Sequence, residues 1–141
     1  MPFTLDPTTE FGARVASHLA DDQVVWLTTV RADGRPEPSP VWFLWDNDTV
    51  LIYSQENTLK LRNIAERPNV SLNFNTTEHG GDVVVITGHA EILPDAPRAQ
   101  DVPAYITKYT GGIESINMTP QTFGDGYPVT IRVTPTHLRG H

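Results

Sequence analysis

Cysteine is absent from this 141-residue chain, which excludes disulfides, thiolate metal sites and a thiol nucleophile. No stretch approaches the ~18 apolar residues of a membrane span. The start, Met1-Pro2-Phe3-Thr4-Leu5-Asp6, lacks the positive region and apolar core of a secretory signal. A cytoplasmic protein with no membrane partner is therefore expected. Basic residues are scarce: 10 Lys and Arg stand against 17 Asp and Glu, for a net charge of −7 and a pI near 5.0. Such a balance speaks against a general nucleic-acid binder, because neutralising phosphates takes a dense basic surface. The five histidines (His18, His79, His89, His137 and His141) show no HxxxH or HExxH spacing, so no metal site is expected. Nor is there a GxSxG elbow, a P-loop, a GxGxxG fingerprint or a defensible pair of catalytic carboxylates. No side chain stands out as catalytic.

What is present is an ordinary globular composition, 38% hydrophobic and 19% charged, in a length that suits one domain over residues 1–141. Residues 8–20 place Phe11, Val15 and Leu19 at helical spacing behind Thr8 or Thr9 as N-cap. Strands are expected at 23–31, 35–45, 49–54, 69–74, 82–93 and 127–139. Asp33-Gly34 forms a hairpin turn and Gly88 marks a bulge. Helices are expected at 57–66, stopping before Pro68, and at 97–109, with a short helical turn at 119–124; Gly111-Gly112 reads as a helix end. Strands that arrive as hairpins, with helices between them, favour an antiparallel barrel or sheet over a doubly wound parallel fold.

Two stretches carry chemical information. In "PEPSPVW", Pro36, Pro38 and Pro40 alternate, so one edge of that strand has lost three N–H donors in succession. Either the edge is protected against pairing or it is left open for a ligand, with Trp42 presenting the first free N–H on that side. Trp42 and Leu44 point to one face, and Val41, Phe43 and Trp45 to the other. The second stretch, residues 54–67, holds Lys60, Arg62 and Arg67 within eight residues, the only basic concentration in the chain. Ser54, Asn57 and Thr58 precede them at a helix start, where free N–H groups and the dipole favour an anion. This is either a phosphate site or a capped helix with solvated cations. An apolar, aromatic edge beside such a helix start, with no acid, base or nucleophile, suggests that a bound cofactor carries the chemistry.

The segments "WLTTVRADGRPEPSPVWFLWDNDTVLIYSQENTLKLRNIAERPNVSLNF", "VVVITGHAEI" and "PVTIRVTPTHLRGH" resemble the pyridoxamine 5'-phosphate oxidase-like (PPOX class) flavoproteins. They are most similar to the small actinobacterial branch that uses the deazaflavin coenzyme F420. The resemblance covers about residues 8–141. It implies a mainly β (α+β) fold: a six-stranded antiparallel split β-barrel, FMN-binding-like, with flanking helices, acting as a homodimer with the cofactor at the subunit interface. By position, Ser39, Pro40, Val41 and Trp42 would line the cofactor ring, and Ser54, Lys60, Leu61, Arg62 and Asn63 would surround its phosphate. The implied activity is F420-dependent reduction of a small unsaturated apolar substrate. Two alternatives stay open: an FMN-dependent reductase or oxidase on the same fold, and a non-catalytic module that binds a flavin or tetrapyrrole. The arginine-rich phosphate signature of the true pyridoxamine phosphate oxidases is missing around Tyr53-Ser54, which argues against vitamin B6 oxidation.

Overall fold

A computed structural model describes residues 3–141. Helix α1 (Glu10–Asp21) opens the chain, capped by Thr9, whose Oγ1 accepts the Gly12 N–H at 2.9 Å. Val15 and Leu19 bury its inner face, as their spacing predicts. Strands β1 (Val24–Val30) and β2 (Pro36–Trp42) form a hairpin closed at Gly34, whose φ of 85° is open to glycine at little cost. After β3 (Leu44–Asp46), Asn47 and Asp48 both take positive φ and turn the chain into β4 (Thr49–Ser54). Helix α2 (Leu59–Glu66) and strands β5 (Asn69–Asn73) and β6 (Val84–Leu93) follow. A 3-10 turn (Ala99–Asp101), α3 (Pro103–Ser115), α4 (Pro120–Gly126) and β7 (Val129–Gly140) complete the chain.

All seven strands join one antiparallel sheet in the order β2-β1-β5-β6-β7-β4-β3. Six were expected, and the difference lies at Phe43. There the single strand anticipated over 35–45 breaks, so that β2 ends one edge of the sheet and β3 begins the other. The sheet curls until its two edge strands are separated in the chain by Phe43 alone. Phe43 has no ladder partner; instead its N–H donates to the Tyr109 hydroxyl at 2.8 Å, and Lys108 Nζ donates to its carbonyl at 3.0 Å. The Tyr109 hydroxyl also lies 2.8 Å from the Phe43 carbonyl and 2.7 Å from that of Gln23. Helix α3 thus satisfies the backbone that the break exposes.

The break leaves side-chain alternation intact. Phe43 belongs to the barrel core with Val25, Leu27 and Ile52, and Val41 and Trp45 pack against it. Trp42 and Leu44 face a second cluster built from Tyr53, Tyr105, Tyr109, Ile113 and Phe123. A register shift between β6 and β7 falls at Thr87/Gly88, where a Cβ on Gly88 would come 2.7 Å from the Thr134 carbonyl oxygen. The helix expected over 97–109 begins later, with Pro103 in its first turn. It also runs through Gly111 and Gly112 rather than ending there. Gly112 packs under Trp42, whose Cη2 would lie 3.0 Å from a Cβ at that position.

Candidate functional site

A cleft of about 270 Å³ opens between the edge strand β2, the end of β4, the start of α2 and the helical pair α3–α4. Pro40, Val41 and Trp42 form its β2 wall. Opposite β1, the register pairs Pro40 with Trp26 and Pro38 with Thr28. Since proline cannot donate, the N–H groups that bond β1 come from the residues between, and the prolines turn toward the bare outer edge.

The second wall is aromatic. Trp42 stacks on Tyr109 (centroids 4.8 Å apart, planes at 9°) and on Phe123 (5.5 Å). Phe123 stacks in turn on Tyr127 at 4.6 Å, and Tyr53 meets Tyr105 edge-on at 4.8 Å. All four tyrosines of the sequence belong to this one assembly. Burial, with a contribution from Asp46, pushes the Tyr53 phenol up to about 12. The phenols of Tyr105 and Tyr109 are raised further, again by burial first. These hydroxyls keep their protons at any pH the protein meets.

The third wall is polar. Asn57, at a φ of 60°, leads into α2, whose N-cap Thr58 makes no side-chain cap bond. The first backbone bond there runs from the Arg62 N–H to the Thr58 carbonyl, leaving the N–H groups of Leu59, Lys60 and Leu61 as free donors. Ser54 Oγ donates to the Gln55 carbonyl at 2.8 Å and lies 3.2 Å from Thr58 Oγ1. Lys60 is half-buried, its ammonium held below the usual lysine range by desolvation, and among the described residues no carboxylate lies within 4.0 Å of it. Among the described residues no acidic side chain lines the cleft, in a chain with 17 of them.

Of the residues singled out from the sequence, Pro40, Val41, Trp42, Ser54 and Lys60 meet in this cleft. Ser39 lines a smaller adjoining depression of about 170 Å³, which it shares with Thr58 and Lys60. Leu61 packs against the barrel core. Arg62 donates to the Asn57 carbonyl at 3.1 Å and lines a separate depression beside Arg31, Arg67 and Glu66. Asn63 borders that depression too, but its side chain is 1% exposed and donates to Thr29 Oγ1 at 3.0 Å. Arg67 Nε donates to the Val30 carbonyl at 2.7 Å and its guanidinium pairs with Glu66. The basic cluster of the sequence therefore divides: Lys60 faces the cleft and the two arginines brace α2 on its other side. Sequence reasoning missed Tyr105 and Tyr127 as wall residues. The available signal was Tyr105 and Tyr109 at i, i+4 on one helix.

Chemically, the cleft offers flat apolar surface, one desolvated cation and free N–H donors. Among the described residues no group of His, Asp or Glu is placed to hold a metal. The cleft suits a planar ligand with an anionic substituent. The pyridoxamine 5'-phosphate oxidase family matches the chain over residues 11–141. Among solved structures, an F420 reductase superposes with a TM-score of 0.64 at 24% identity, covering 87% of this chain and 94% of its own. The heme storage protein HutZ of Vibrio cholerae gives 0.63 at 16% identity, over 98% and 95% of the two chains. An FAD-binding protein of Mesorhizobium loti gives 0.63 at 18% identity, over 87% and 88%. At these identities the likeness is one of fold. No curated protein matches the sequence.

Proposed function

Because the chain belongs to the pyridoxamine 5'-phosphate oxidase family, we propose that its cleft binds coenzyme F420 and serves the reduction of a small, unsaturated, apolar substrate. The observation that carries this reading is Lys60: a half-buried cation with no carboxylate partner, beside free helix N–H groups and an aromatic wall, in an acidic protein. A desolvated ammonium without a counter-ion is unfavourable until an anion arrives. Ser54, Thr58 and Lys60 would hold the cofactor phosphate, with the Ser39-to-Trp42 segment against the ring. When bound, the reduced deazaflavin supplies a hydride. The protein's own part is to orient ring and substrate and to exclude water, and no acid–base residue is required of it. Arg62 and Asn63 belong to a supporting layer under this reading, since both are engaged away from the cleft.

FMN is the second reading, because the same polar wall accommodates its phosphate and nothing in that wall distinguishes the two rings. We also propose a homodimer. The outward face of β1 and β2 carries Trp26 and Val30 opposite Pro40 and Pro36, with Thr28 opposite Pro38 between them, beside the cleft's β2 wall. Titrating the protein's fluorescence with F420 and, separately, with FMN at low and high salt tests the cofactor. Micromolar or tighter F420 binding that weakens with salt is expected, as a lysine–phosphate contact requires. Tighter binding of FMN would move the chain to the second reading, and binding of neither would remove both.

A further inference from the structure

Lysine occurs twice in the chain, at positions 60 and 108, and the two amines meet different surroundings. Lys108 Nζ is engaged: it donates to the Phe43 carbonyl at 3.0 Å and sits 3.8 Å from the centre of the Phe43 ring. Lys60 Nζ has neither a hydrogen-bond partner nor a carboxylate within 4.0 Å among the described residues. Glu37 borders the adjoining depression with Lys60, but it pairs with Arg31 at 3.3 Å instead. The buried side-chain polar atoms left without a partner are Gln100 Oε1, the Tyr105 hydroxyl and Arg132 Nε. Lys60 Nζ is not among them, so this unpartnered amine keeps surface that a ligand can reach. Lys60 also lines the cleft together with Trp42, Phe123 and Tyr127.

We propose that, while no cofactor is bound, the Lys60 amine captures planar aromatic aldehydes covalently and holds their ring against the aromatic wall of the cleft. The neutral amine adds its lone pair to the aldehyde carbon, the carbinolamine so formed loses its hydroxyl as water, and a C=N bond replaces the C=O. No oxidant or reductant enters, and hydrolysis reverses the step. Desolvation holds the Lys60 ammonium below the usual lysine range, so more of it is neutral near pH 7 than of an exposed lysine. Lys108 is lowered further, to about 8, again by desolvation first. Were proton loss alone to decide, the aldehyde would go to Lys108. Geometry decides for Lys60: its Nζ is unengaged, and beside it lies a cleft of about 270 Å³ with flat side chains for the ring to stack on. The proposal stands on the empty cleft and not on the identity of the cofactor.

The test exposes the full wild-type chain at pH 7 to benzaldehyde or to cyclohexanecarbaldehyde, with cyanoborohydride present to reduce the C=N bond and fix the adduct. Peptide mass spectrometry gives the ratio of label at Lys60 to label at Lys108, which cancels the intrinsic reactivity of each aldehyde. Benzaldehyde is expected to favour Lys60 by about tenfold or more, and cyclohexanecarbaldehyde to give a ratio about three- to tenfold smaller, since it cannot stack. In urea the benzaldehyde ratio should fall to near one. Equal labelling of the two lysines, the same ratio for both aldehydes, or a ratio that survives unfolding overturns the proposal. Saturating F420 is expected to protect Lys60 and leave Lys108 unchanged. Selective labelling of Lys60 that bound F420 fails to block, or in a chain that binds neither F420 nor FMN, would overturn the cofactor reading and leave the capture site standing.

Discussion

Lysines at positions 60 and 108 share a half-buried setting but differ in what surrounds the ammonium. Lys60 has no partner, so its substitution should be felt in ligand binding. K60A is expected to weaken F420 binding about 10- to 100-fold, about 1.4–2.8 kcal/mol, to flatten its salt dependence and to leave the Tm nearly unchanged. Wild-type affinity in K60A would place the anion elsewhere. Lys108 has partners already, the Phe43 carbonyl at 3.0 Å and the Phe43 ring at 3.8 Å from Nζ. Desolvation lowers it to about 8, against opposing pulls from Asp22 and Asp21. Between pH 8 and about 9.5 the unfolded chain then binds more protons than the folded one, so stability should rise with pH. Above pH 10 the raised phenols of Tyr53, Tyr105 and Tyr109 reverse the slope, because only the unfolded tyrosines ionise there. Urea midpoints across this range check the sign, and K108M should reduce the rise to the smaller part that the lowered Lys60 ammonium contributes. Lys60 was legible in the sequence because it stood in the only basic cluster. The idle hydroxyl of Tyr105 was not, since an unmade bond leaves no trace in spacing or composition.

At the scale of elements, helix α1 is held to the barrel by His18. Its Nδ1 lies 2.6 Å from Asp22 and its Nε2 2.8 Å from Asp82, with Arg14 on the other Asp82 oxygen at 2.8 Å and Phe74 stacked beneath the ring. Burial alone would lower the imidazole, but the hydrogen bonds and charges of Asp22 and Asp82 outweigh it and the net shift is upward. The stabilisation is therefore complete below the unfolded value of 6.5 and is lost as pH rises through the higher folded value. H18Q should cost more stability at pH 6 than at pH 8.5, measured by chemical denaturation at both. The corner at Phe43 makes a second prediction. Y109F removes the acceptor of a buried N–H and the donor to two carbonyls, and should cost about 1–3 kcal/mol. Most elements could be read from local pattern: the Asp33-Gly34 hairpin, the stop before Pro68, the irregularity at Gly88 and the alternation from Val41 to Trp45. The division of β2 from β3 could not, because it depends on Lys108 and Tyr109, which arrive more than sixty residues later. The glycines at 111 and 112 misled for a related reason: packing of Gly112 against Trp42 outweighs the pair's weak helix propensity.

For the whole molecule, the antiparallel class was legible from hairpin turns, and the strand count failed by the single break at Phe43. Dimerisation is tested by sedimentation velocity. The wild type is expected to run as a dimer at micromolar concentration, and W26E, which sets a charge opposite Pro40 on the outer face, should raise the dimer dissociation constant about 100-fold or more. F420 affinity should fall with it if the second subunit completes the cleft. A wild type that stays monomeric would remove the interface from the reading. The sheet order has a consequence for how the protein comes into being. Residues 129–140 form β7, which lies between β6 and β4 and is paired along both edges. When a ribosome has released only the first 128 residues, the four strands β2-β1-β5-β6 and the β3–β4 hairpin share no ladder, and β6 and β4 both present bare edges. Closure waits for the last strand, so a chain whose β7 has not yet emerged carries two unpaired edges open to pairing with another chain. A truncation within β7 would hold it in that form.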